Sequence, residues 1–296
     1  MIKLVREKYN KYLAFKIFVV VIVVLSSVAI MLPLMQLAAI FGINVRENTG
    51  INFNPNFGSI FFFFLFGILS IIIIWLAQKY IHQKPLRELG FRSKIGRDLF
   101  FGFLLGIIIV TIINIIYGIS AETIECIPIT VPDSISLVSY IGYYIYFIIG
   151  FVVWNSFIEE FGMRAYPIEK LKKYINPHII FIIMGLIFAL GHFIAREFDT
   201  HYFISLFGFS YVFSLLYFYS RSIWLVVGVH SGVNWVNFTF FGTNWKMGAL
   251  YNIEISNFPT WIYDYTSIFI YLILLGIFIF LNKKGFFIKY FPINNE

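Results

Sequence analysis

The stretch YIGYYIYFIIGFVVWNSFIEE, residues 140–160, runs from Tyr140 to Ile158 without a charged residue and then presents two adjacent acids, Glu159 and Glu160. About 20 apolar residues are what a helix needs to cross ~30 Å of hydrocarbon, so this segment reads as a membrane helix. No glycine or proline stands between Phe157 and the two acids to end the helix there. The helix therefore carries both acids into a protein-lined cavity near its cytoplasmic end.

Outward from this segment, similar runs lie near residues 17–40, 59–77, 99–118, 179–195, 202–220, 223–241 and 265–281, which makes eight in all. None alternates polar and apolar residues as outer-membrane strands do. Only helices fit, and the fold class is all-α: a polytopic membrane protein of eight transmembrane helices enclosing an intramembrane polar cavity. The composition agrees, with 60% hydrophobic and 12% charged residues against about 25% charged in a soluble domain. The first run follows a basic start but is long, contains Pro33 and precedes seven others, so it reads as a retained helix and not as a signal peptide. Residues 1–296 form a single membrane domain. A single cysteine, Cys126, excludes a disulfide framework and cysteine-based zinc sites.

The net charge of +7 is explained by sorting across the membrane, not by nucleic acid, which is not an expected partner. Short cytoplasmic loops are enriched in Lys and Arg. The N-terminal segment, the second, fourth and sixth connections and the C-terminal tail together hold nineteen of the 22 basic residues, Arg92 and Arg164 among them. The opposite side holds Arg46, Arg196 and Lys246. Both termini are expected in the cytoplasm. The long connections at 41–58 and 242–264 face outward. The partners are the lipid bilayer and a peptide or membrane-protein substrate, and the location is a cell membrane, the plasma membrane of a bacterium.

Ionisable groups inside hydrocarbon are costly, so each is a functional candidate. Besides Glu159 and Glu160, two histidines lie inside runs: His192 and His230. His230 is followed by Asn234 at i+4 and Asn237 at i+7, one polar stripe on a helix. Gly185 and Ala189 share a face with His192, and Gly228 and Gly232 flank His230, so the fifth and seventh helices are expected to approach each other. The pair Gly102 and Gly106 is a weak packing signal. Any one such polar residue is more often interhelical glue than a catalyst, yet five of them cluster in a chain otherwise poor in intramembrane polarity. Glu160 and Arg164, at i and i+4 with the acid first, read as a structural ion pair. Phe188 reads as packing, and Trp224 as an interfacial aromatic.

No histidine is followed by Glu, which excludes a His-Glu-x-x-His metalloprotease. No Asp lies within a run, and no Gly-x-Ser-x-Gly occurs, which excludes aspartyl and rhomboid chemistries. The chain instead resembles the family of CAAX prenyl proteases and bacteriocin-processing enzymes, also called CPBP or Abi proteins. Its Glu-Glu-x-x-x-Arg motif is similar to Glu159 to Arg164, its Phe-x-x-x-His to Phe188 to His192, and its His-x-x-x-Asn to His230 to Asn234. The order is the family's, and the similarity extends to Leu89-Gly90-Phe91-Arg92 and Ser222-Ile223-Trp224. It covers residues 86–240, the family core. Ala165 stands where bacterial members commonly carry glycine.

The resemblance implies an intramembrane endopeptidase in which Glu159 activates water with His192, His230 and Asn234 donate to the oxyanion, and Glu160 with Arg164 orients the helix end. It equally allows Glu159, His192 and His230 to ligate a catalytic zinc. In geometry, Glu159, His192, His230 and Asn234 should converge on one water-sized site open to the cytoplasm, with Arg164 meeting Glu160 outside it. For Glu159 and His192 to meet, the fourth helix must continue toward Tyr166. Two other classes compete: a non-catalytic membrane protein for bacteriocin immunity or for scaffolding a sensor complex, and a transporter, which the absence of an internal repeat disfavours.

Overall fold

The computed structural model describes residues 2–43, 57–91, 94–195, 197–241 and 248–291. Arg46, Arg92, Arg196 and Lys246, and much of the two long connections, lie outside the described residues. A short helix α1 (Ile2–Lys11) precedes α2 (Leu13–Ile40), α3 (Phe57–Leu76, prolonged by a π-helical stretch Ala77–His82) and α4 (Ile95–Ser120). There follow α5 (Leu137–Leu171), α6 (Pro177–Gly191), α7 (Thr200–Ser220), α8 (Ile223–Phe240), α9 (Thr260–Lys283) and the short α10 (Phe286–Tyr290).

Helices stand at all eight expected positions. Among the described residues six of them, α2, α3, α4, α5, α7 and α9, are long and apolar enough to cross a membrane. The chain is a multi-pass, all-α membrane protein. The other two differ for physical reasons. Helix α6 has 15 residues, about 22 Å at 1.5 Å per residue, and α8 interrupts its 18 residues with His230, Ser231, Asn234 and Asn237.

Not all of the chain is helical. Between α4 and α5, β1 (Thr123–Pro128) pairs antiparallel with β2 (Tyr251–Ser256), which precedes α9, in the register Thr123↔Ser256 to Pro128↔Tyr251. The Ile residues of β2 alternate along the strand, as side chains in a pleated segment must. Such six-residue segments are too short to register as apolar runs.

Helix α5 positions the acids. Ser136 caps its start by accepting from the Ser139 amide (3.2 Å), and its 35 residues span ~52 Å, well beyond the hydrocarbon. It continues through Glu159 and Glu160 as expected and passes Tyr166. Two π-helical stretches, Phe147–Val153 and Phe161–Ala165, bracket the acids. Residues 160–168 are buried without a break, so this half of α5 is the core around which α2, α6 and α7 pack.

Helix α8 is held at the other side of the core. Its start is pinned when the Ile223 amide donates to the Gly90 carbonyl (3.1 Å) and Ser222 Oγ donates to the buried Asp98 (2.6 Å). Its length lies against α4 in a reciprocal glycine interlock. A Cβ on Gly102 or Gly106 would stand 2.1 Å from the carbonyl oxygens of Leu225 and Val229 respectively. One on Gly228 or Gly232 would stand 2.3 Å from Leu99 O and 2.2 Å from Phe103 O. The Gly102 and Gly106 pair is thus a principal packing device, not a weak signal. The expected approach of the fifth and seventh helices is corrected too: α8 turns its glycines to α4, while Gly185 of α6 faces Phe207 of α7.

Candidate active site

Glu160 is fully buried and lies between two cationic or polar partners. Arg164 Nη1 approaches its Oε1 at 3.1 Å, and His230 Nδ1 lies 2.8 Å from the same oxygen. A carboxylate only accepts, so Nδ1 carries the proton and donates. On the other edge of the ring, His230 Nε2 stands 3.7 Å from Glu159 Oε2. One imidazole therefore sits between the two adjacent acids. Phe209 and Phe213 flank it edge-on at 5.3 and 5.9 Å between ring centres.

The two acids live differently. The Glu159 side chain is 26% exposed, Glu160 not at all. Glu159 Oε1 accepts from Asn155 Nδ2 at 2.7 Å, whereas Oε2 has no hydrogen-bond partner among the described residues. Asn155 is not among the residues that the sequence singles out, although a polar residue one turn before an intramembrane acid on the same helix face was a usable signal.

Arg164 was expected in a connection, orienting a helix end outside the site. It is instead completely buried within α5, its guanidinium 4.3 Å from the centre of the Phe188 ring. The helix does not end there, and Glu160 spends its charge on His230 as well as on Arg164. Phe188 in turn lies against His192, with 4.6 Å between ring centres.

His192 begins a single 3-10 turn at the end of α6. Its Nδ1 donates to the Phe188 carbonyl at 2.8 Å, which leaves the neutral ring's lone pair on Nε2. No hydrogen bond or ion pair joins His192 to Glu159 among the described residues. Asn234, one turn beyond His230 on α8, is half-buried and makes no hydrogen bond to the acids. The contacts thus bring Glu159, Glu160, Arg164 and His230 into one network, with His192 reached across Phe188.

The zinc alternative does not fit this arrangement. Among the described residues no three His, Cys, Asp or Glu side chains gather closely enough to hold a metal ion. His230 has one nitrogen committed to Glu160 and the other 3.7 Å from Glu159, and His192 is not in the group. A separate, largely apolar groove of about 550 Å³ runs between α4, α8 and the sheet, lined by residues such as Ile107, Asn114, Trp235 and Ile253. None of the acids or histidines lines it.

Fold and network together define a polytopic membrane protein with one buried acid–histidine cluster on α5 and α8. Residues 141–236, which carry all three motifs, match the family model Rce1-like, type II CAAX prenyl endopeptidase. The resemblance to the CAAX protease family is borne out. No curated protein and no solved structure matches the chain.

Proposed function

We propose that the chain is an intramembrane endopeptidase that hydrolyses a peptide bond of a membrane-associated peptide or protein with water activated by Glu159. The observation that carries this is the division of labour around one ring. The fully buried acid, Glu160, holds His230 Nδ1, and Glu159, partly exposed as a side chain, turns a buried oxygen without a hydrogen-bond partner among the described residues toward Nε2.

In this reading Glu159 Oε2 takes a proton from water, and the oxygen of that water attacks the peptide carbonyl carbon. His192 Nε2 accepts a hydrogen bond from the water's other O–H, which stays on the attacking oxygen. The developing oxyanion accepts from His230 Nε2–H and the Asn234 amide, about 2.7–4 kcal/mol per donor in comparable sites. Glu159 then passes its proton to the leaving amine as the C–N bond breaks. The donor role of Nε2 suits a ring with a proton on each nitrogen, since a carboxylate stands at either edge of His230 to accept.

All eight helices α2–α9 cross the membrane in this reading, α6 and α8 held by packing where length or polarity falls short, and both termini are cytoplasmic. The sorting of basic residues supports the orientation, although Arg164 belongs to the core and not to a loop. Glu159→Gln in proteoliposomes should lower cleavage of a quenched farnesylated CAAX peptide by about 100-fold or more with an unchanged melting temperature. Undiminished cleavage would leave the cluster as structural glue in a non-catalytic protein. Native substrates would follow from comparing membrane proteomes of cells carrying the parent and this variant.

A further inference from the structure

We propose that Asn155 is the positioning residue for Glu159, deciding which of its two oxygens acts on water. This rests on the reading of Glu159 as the base. The terminal torsion of a glutamate is broad and roughly two-fold, so a free carboxylate presents either oxygen, and a base that must meet a particular water gains from having one of them tied.

Asn155 lies one helical turn before Glu159, in the stretch between the two π-helical segments. Its amide nitrogen reaches Oε1 at 2.7 Å, the length of a hydrogen bond to an ionised acceptor. Oε1 is thereby occupied. Oε2, a buried atom 3.7 Å from His230 Nε2, is left without a hydrogen-bond partner among the described residues, and an enclosed water is the partner such an oxygen calls for. The neighbouring Ser156 does not compete, because its Oγ donates to the Val152 carbonyl at 2.6 Å.

The type of donor matters as much as its place. An amide fixes one carboxylate oxygen in place without setting a guanidinium against it. Glu160, the acid with no proton to move, has Arg164 instead. A polar i, i+4 side-chain pair braces a helix only weakly, so a purely structural Asn155 would leave turnover unchanged.

The test uses the full chain in proteoliposomes with the quenched farnesylated CAAX peptide. Asn155→Leu, similar in shape but without a donor, should lower kcat by about 10–100-fold, the cost of a small misplacement at the reacting group, with KM and melting temperature close to the parent's. Asn155→Asp, which sets a second negative charge beside Glu159, should fall at least as far, and it decides the matter if the leucine variant does not accumulate. Asn155→Gln, which keeps a donor, should recover most of the loss. If Asn155→Leu keeps the parental kcat, or loses activity only in step with its melting temperature, while Glu159→Gln is inactive, the positioning role is wrong and the base stands. If Glu159→Gln itself turns over normally, it is the functional reading that falls.

Discussion

Glu159 and Glu160 are adjacent in the chain and opposite in circumstance: one has a buried oxygen that accepts no hydrogen bond among the described residues, the other is locked between Arg164 and His230. Breaking a buried pair by removing one partner costs about 3–5 kcal/mol, because the other charge stays behind. Arg164→Leu should therefore lower the melting temperature sharply in a thermal-shift measurement. Adding Glu160→Gln should return part of the loss, since the orphaned charge goes with it. If the two losses simply add, Arg164 does not stabilise the fold through Glu160. The acid pair, the arginine and both histidines were legible as isolated polar residues in or beside apolar runs. Their pairing was not. Which acid meets His230 depends on the rotation that α5 acquires at its π-helical turns, and no periodicity of 3.6 foretells that.

The α4–α8 interlock helps to set the site's geometry, since α8 carries His230 and Asn234 and lies against α4 along its glycine face. Alanine at Gly106 or Gly228 would place a methyl carbon 2.1 or 2.3 Å from a backbone oxygen, so the helices must move apart. The expected cost is about 1–3 kcal/mol, as for other overpacked contacts, read as a fall in melting temperature. Activity should fall alongside it, because the His230 ring would shift relative to Glu160. Gly142 and Gly276, which have open space where a Cβ would stand, should accept alanine without loss. Helix existence was readable from length and hydropathy alone for the six long apolar helices. The short α6 and the polar α8 were found by the same rule, but their partners were not, because small residues declare a close approach without naming who approaches. The two strands escaped for lack of length and of any local sign that residues so far apart would pair.

At the scale of the whole molecule, orientation has a direct reporter in Cys126, the chain's one cysteine, which is exposed on β1. In intact cells a membrane-impermeant maleimide should label it, while a cysteine placed at Lys3 or Lys284 in a Cys126→Ser background should react only after permeabilisation. The reverse pattern would invert the topology and with it the side from which substrate arrives. The sheet that carries Cys126 has a further consequence, for the time at which the molecule becomes complete. Thr123 pairs with Ser256, and α4 must likewise wait for α8. At about 5–20 residues per second of synthesis, the first strand and the glycine face of α4 stand ready for roughly 7–27 s before their partners exist. The nascent chain therefore passes through a long interval in which its most closely packed helix surface has only lipid, or the insertion machinery, against it.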